Sequence, residues 1–127
     1  MEWLYCWLLD ANTAQAIDWK SEAEVADELG FRCHSFDFEQ LIYDRLDLAF
    51  ADLPEGEGQT LVYRGWILSE DDYRQLEDEV VARGYQLHNN ASQYEAAIAL
   101  PNYYEFVEDL TPPAVWTWEP DIDEAWE

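Results

Sequence analysis

Leu61-Val62-Tyr63-Arg64-Gly65-Trp66-Ile67-Leu68-Ser69 joins an apolar strand, a cation, a glycine and a helix cap without a spacer. The alternation predicts a strand over residues 59–68 with Arg64 embedded in it. A guanidinium held in an apolar strand is costly to desolvate unless it has a partner. Two readings follow. Arg64 is either fixed in an ion pair with one of the chain's many acids, or it meets a ligand or a second domain. Its planar fork suits a carboxylate or a phosphate. Gly65 next to it lets another group approach the backbone closely.

Downstream, Ser69 is the cap of a helix and Asp72 closes a capping box, with acids at 70–72 on the positive end of the dipole. Tyr73, Leu76 and Val80 form its apolar stripe. Arg83 sits in the last turn and Gly84 ends it. Tyr85-Gln86-Leu87-His88 reads as a short strand. Asn89-Asn90-Ala91-Ser92 is a turn that opens a helix running to Leu100. Pro101 breaks that helix, and Tyr103, Phe106, Val107 and Leu110 suggest another. Val115-Trp116-Thr117-Trp118 reads as a last strand.

Upstream, Trp3-Leu4-Tyr5-Cys6-Trp7-Leu8-Leu9 is an apolar run of strand length, suited to a parallel sheet covered on both faces. Residues 10–20 form a polar loop. Ser21 and Glu24 predict a capped helix with Val25, Ala26 and Leu29 inward and Gly30 as its stop. Phe31-Arg32-Cys33-His34-Ser35-Phe36 alternates as a second strand. Residues 38–53 fit a helix or an extended segment equally. Helices alternating with strands predict an α/β domain: a small, mostly parallel sheet of four or five strands flanked by helices. Residues 1–118 are expected to form a single domain, with 119–127 an acidic tail or the start of a helix.

The acidic balance is the strongest compositional signal. Lys+Arg number 6 against Asp+Glu 29, for a formal net charge of -23. Such a surface repels nucleic acid and anionic membranes, which bind through basic groups. It attracts cations or basic proteins. The 7 Trp, 8 Tyr and 5 Phe residues exclude a disordered chain. Cys6 and Cys33 lie in apolar runs and read as reduced, buried thiols, so a cytoplasmic location is expected. Cys33 and His34 are adjacent in a strand and point to opposite faces, so they do not make a zinc pair. No metal site is expected.

From Tyr63-Arg64-Gly65-Trp66-Ile67-Leu68-Ser69 onward, the chain resembles the N-terminal, pre-ATP-grasp region of a bacterial and phage group of ATP-grasp proteins. The resemblance is carried also by Tyr73, Leu76, Ala82-Arg83-Gly84, Leu87, Asn89, Tyr94, Leu100-Pro101, Tyr104, Leu110-Thr111-Pro112 and Val115-Trp116-Thr117. It covers residues 61–117 and is weaker over 3–52. It implies a Rossmann-like domain from a lineage of ATP-dependent carboxylate ligases. In that lineage ATP and Mg²⁺ are held by a downstream half around a strand lysine in a Val-Lys-Asp pattern. Here no lysine follows Lys20 and no such pattern occurs.

The expected function is therefore an acceptor-side or scaffold domain, catalytically incomplete alone, with no cofactor of its own and no catalytic residue. Arg64, Gly65 and Trp66 would line its cleft, with Asn89 and Asn90 at the rim. Trp118 and Trp126, set among acids, would dock the nucleotide-binding half, in cis or in trans. The ending at Glu127 fits an excised domain, a split subunit or a repurposed fragment. The alternative is an acidic, phage-type inhibitor whose carboxylates mimic nucleic acid before a basic protein.

Overall fold

Strand β1 (Glu2–Leu9) is the spine of the fold, and its buried run Leu4-Tyr5-Cys6 explains why. In the computed structural model, which describes residues 1–10 and 16–116, β1 has a parallel neighbour on each side. On one side lies β3 (Cys33–Asp37), on the other β4 (Thr60–Arg64), and β5 (Gln86–Leu87) follows β4. A two-residue antiparallel strand, β2 (Ala16–Ile17), pairs with the far end of β1. The four parallel strands run in the order β3-β1-β4-β5, flanked by helices. The molecule is thus an α/β fold with a small, mostly parallel sheet, as expected.

Register sorts the side chains into two faces. Leu4 lies opposite His34 and Tyr63, and Cys6 opposite Phe36, so these share one face with Leu61. Phe36 stacks on Phe50 at 5.0 Å, and Tyr63 meets Tyr73 edge-on at 6.0 Å. Helices α2 (Phe38–Ile42), α3 (Leu46–Ala49) and α4 (Glu70–Ala82) supply Leu41, Ala49, Leu76 and Val80 to this core. Trp3, Tyr5, Cys33, Val62 and Arg64 lie on the other face. Helix α1 (Lys20–Glu28) belongs there, where the Cys33 thiol reaches the Ala23 carbonyl at 3.7 Å.

Local chemistry sets most boundaries. The Ser69 hydroxyl accepts the Asp72 N–H at 3.1 Å and donates to the Asp72 carboxylate at 2.5 Å, which starts α4 as expected. Arg83 pairs with Glu79 at 2.9 Å and donates to the Leu53 carbonyl at 3.1 Å. Gly84, at φ +86°, then ends the helix. The segment that was ambiguous in sequence is helical. Asp37 caps α2 by accepting the Gln40 N–H at 3.1 Å. Asp44, at φ 57°, closes it, with the Arg45 N–H on the Gln40 carbonyl at 2.8 Å.

Expectations for α1 and for the end of β4 need correction. Helix α1 begins at Lys20 and is not capped by Ser21; the Asp18 carboxylate accepts the Lys20 N–H at 3.1 Å. Only Ala26 of the predicted inner face is buried, while Val25 and Leu29 face solvent. Strand β4 stops at Arg64, short of the predicted end at Leu68, because the chain turns back on Tyr63.

The described residues fall into two compact units, Met1–Ala91 and a second from Ser92 onward. Helix α5 (Ala91–Ile98) opens at the end of the first. In the second, α6 (Leu100–Val107) carries Pro101 in its first turn, so two helices are present, but the break falls at Ala99 and Leu100 opens the second helix where it was expected to end the first. A single 3-10 turn (Glu108–Leu110) follows. Val115 and Trp116 are not in a strand; the Ala114 N–H bonds the Tyr104 hydroxyl at 3.3 Å and Trp116 packs edge-on to Tyr104 at 5.2 Å. Thr117 and Trp118 of the predicted strand, and Trp126, lie outside the described residues. Among the described residues no helix is long and apolar enough to cross a membrane.

Candidate functional site

The order β3-β1-β4 means that the chain leaves β1 to one side and returns on the other. In open parallel sheets that reversal leaves a crevice at the carboxyl ends of the strands. Arg64 is the last residue of β4 and emerges at this edge. It is not embedded, as the sequence suggested: its side chain is 51% exposed. It holds Glu22 of α1 through Nε at 2.8 Å and Nη2 at 3.3 Å. The guanidinium also lies over the Trp19 ring, 5.5 Å from its centre. Hydrogen bonding to Glu22, and then its charge, push the Arg64 pKa further up, so it stays a cation. An ion pair this exposed adds at most about 1 kcal/mol to stability.

The next residues build the corner. The Tyr63 hydroxyl donates to the Trp66 carbonyl at 2.6 Å and touches the Cys6 sulfur at 3.6 Å. A side chain on Gly65 would strike Cys6 Sγ and the Tyr63 hydroxyl, so the space beside this glycine is filled from within the protein. Trp66 packs between Phe38, at 5.2 Å, and Trp19, at 6.1 Å. Tyr63→Phe strands the Trp66 carbonyl and is expected to cost about 1–2 kcal/mol in urea unfolding, since a part-buried acceptor loses its partner.

Beside this corner, a cleft of about 210 Å³ runs along the carboxyl halves of β1 and β3. Tyr5, Cys6, Trp7 and Ser35 line it from the sheet, and Asp18, Trp19, Lys20 and Ala23 from the start of α1. Tyr5 is 4% exposed. Burial, and then the Glu22 carboxylate, push its hydroxyl pKa up, so it remains protonated at neutral pH. A larger, open groove of about 500 Å³ is lined by Asp44, Arg45, Leu46, Asp47, Leu48 and Glu79. It gathers three carboxylates and no ring, and Glu79 is near the end of α4, which has turned back toward the amino edge of the sheet. The smaller cleft is the better candidate because it has enclosing aromatic walls and sits at the crevice edge.

Arg64, Gly65 and Trp66 are thus brought together, and Trp19 and Glu22 join them. Asn89 and Asn90 are exposed in the loop after β5, one strand further out along the same edge. The Asn89 carbonyl accepts the Tyr73 hydroxyl at 2.8 Å. Sequence reasoning missed Tyr5, Trp7, Trp19, Glu22 and Ser35. One signal was present: Trp19 is a large aromatic in a segment otherwise read as a polar loop. Among the described residues no three His, Cys, Asp or Glu side chains converge as a metal site needs. Comparisons with family models, with curated proteins and with solved structures return no match to the chain.

Proposed function

We propose that this chain is a scaffold domain related to the region that precedes an ATP-grasp core, incomplete as a catalyst alone. Its Arg64–Trp66 corner would shape the acceptor side of a cleft that a nucleotide-binding half, in cis or in trans, completes. ATP and Mg²⁺ would belong to that half. The observation that carries the reading is the position of the Tyr-Arg-Gly-Trp stretch. It ends a strand next to the central one, at the carboxyl edge beside the reversal of strand order, and presents a cation and an indole there. The role of Arg64 as a contact for the other half fits its weak value to folding, since an exposed pair stabilises little.

Affinity capture from a lysate of the source organism tests this. The expected result is retention of a polypeptide with an ATP-grasp core, lost when Arg64→Ala and Trp66→Ala are combined. Release of ADP from ATP and Mg²⁺ by the purified chain alone would overturn the incomplete-catalyst reading.

One observation favours a second reading, an acidic inhibitor that mimics nucleic acid. Lys20, Arg32, Arg64 and Arg83 each pair with an acid of the chain itself. With 29 acids against 6 lysines and arginines, most carboxylates have no basic side chain to pair with. Capture of a basic, nucleic-acid-binding protein, released by salt, would select this reading over the first.

A further inference from the structure

We propose that the helix face carrying Phe106 and Leu110 docks a basic, amphipathic helix of a partner protein. The inference rests on neither reading above. Those place the contact at the Arg64–Trp66 corner or on carboxylates alone.

An apolar stripe left uncovered is the starting point. Tyr103, Phe106 and Leu110 fall three and four positions apart along α6 and the 3-10 turn that continues it, so they form a row on one side. Such a row is what a helix buries when it packs on a neighbour. Here Phe106 is 77% exposed and Leu110 85%. A neighbouring side of α6 is the one in use: Tyr104 packs on Trp116, and its hydroxyl accepts the Ala114 N–H. Among the described residues from Ser92 onward, no side chain is buried. An exposed apolar stripe of this kind marks a contact surface.

Charge selects the occupant. Glu105, Glu108 and Asp109 are exposed in the same turns. No lysine or arginine follows Arg83, while nine acids lie in residues 92–127. The second unit therefore has no fixed cation of its own to set beside them. A second copy would bring the same nine acids to the contact, and like charges there are costly. A partner whose apolar row is bordered by lysine or arginine gains from both the stripe and the acids. Shape selects a helix. A single row at helical spacing is met by the ridges of another helix, as in other amphipathic-helix contacts.

A labelled leucine/lysine peptide of about 18 residues, with its leucines on one helical stripe, tests this by fluorescence anisotropy against the full chain. One comparison peptide has the same composition in scrambled order. Another has glutamate in place of lysine. The striped lysine peptide is expected to bind saturably, about tenfold tighter than the scrambled one, and the glutamate peptide not at all. High salt is expected to weaken the binding without abolishing it, since the apolar part is not screened. Phe106→Ser combined with Leu110→Ser removes only exposed side chains. It is expected to leave circular dichroism unchanged and to weaken binding about tenfold or more. Equal binding of the two lysine peptides, or undiminished binding by the double variant, would overturn the proposal. So would a dimer in sedimentation that the double variant dissociates, which assigns the stripe to a second copy. Arg64→Ala combined with Trp66→Ala is expected to leave peptide binding unchanged, so this proposal and the scaffold reading fail separately. A loss of binding in that variant would move the peptide to the Arg64 corner and overturn the assignment.

Discussion

Gly84→Ala is expected to lower the free energy of unfolding by about 2–5 kcal/mol, the sum of a left-handed backbone penalty and an overpacking penalty. Gly84 ends α4 at φ +86°, where a side chain is strained in any surroundings. The surroundings here add to it. A Cβ at this position would stand 2.6 Å from the Gly56 carbonyl oxygen and 3.2 Å from its carbon. That neighbour cannot easily withdraw. The Gly56 N–H bonds the Arg83 carbonyl at 2.7 Å, and the Gly58 N–H bonds the Gly84 carbonyl at 2.7 Å. A Cβ at Gly56 would itself stand 2.8 Å from the Tyr85 ring, so Gly56 has little room to shift toward it. The loop at 54–58 is therefore pinned to the end of α4 by two backbone hydrogen bonds. Gly30 is the internal control. It has the same φ, +86°, and a Cβ there would meet nothing within 4 Å. Gly30→Ala is expected to cost only the backbone part, about 1–2 kcal/mol. Urea unfolding of both variants reads the difference. Equal costs would show that the contact with Gly56 contributes nothing.

That comparison also shows where sequence was sufficient. Gly30 and Gly84 were legible as helix stops because the requirement is local: an amphipathic helix ends and a glycine follows. Ser69 and Asp72 were legible for the same reason, and so was the parallel alternation of strands and helices. Arg64 was not. Its environment depends on where β4 stops, and that is fixed by Tyr63 reaching the Trp66 carbonyl and by the sulfur of Cys6, a residue 57 positions away in sequence from Tyr63. The aromatic cleft was hidden for a related reason. Tyr5 and Trp7 sit in an apolar run that reads as core on every residue. Only pairing with β3 and the placement of α1 turn one side of that run toward an opening. Val25 and Leu29 show the reverse error: helical periodicity gave an inner face, but α1 buries only Ala26 on that side. Periodicity identifies an amphipathic helix without saying how much sheet lies beneath it.

Gly65→Ala is expected to destabilise the protein by about 1–3 kcal/mol, the usual range for an extra carbon forced into a filled space. The added carbon would overlap Cys6 Sγ and come within 2.8 Å of the Tyr63 hydroxyl. Cys6 is fully buried in the central strand, flanked in register by Phe36, so its sulfur has little room to retreat. A double-mutant cycle separates this contact from any general effect on the turn. Cys6→Ala alone removes one buried sulfur and should cost about 1 kcal/mol, as for a small cavity. In that background the alanine at position 65 gains the vacated volume. The two substitutions are then expected to couple favourably, by about 1 kcal/mol or more, as contacting residues do. Tyr63 provides the sign check. If the hydroxyl and not the sulfur were the main obstacle, Gly65→Ala would be rescued by Tyr63→Phe and left untouched by Cys6→Ala. Strict additivity with Cys6→Ala would mean that Gly65 is not held to glycine by the strand beside it. The backbone at this corner would then be open to an incoming group, which returns the position to the partner-binding role that the sequence first suggested. A favourable coupling instead assigns Gly65 to internal packing and leaves Arg64 and Trp66 as the parts of the motif that face outward.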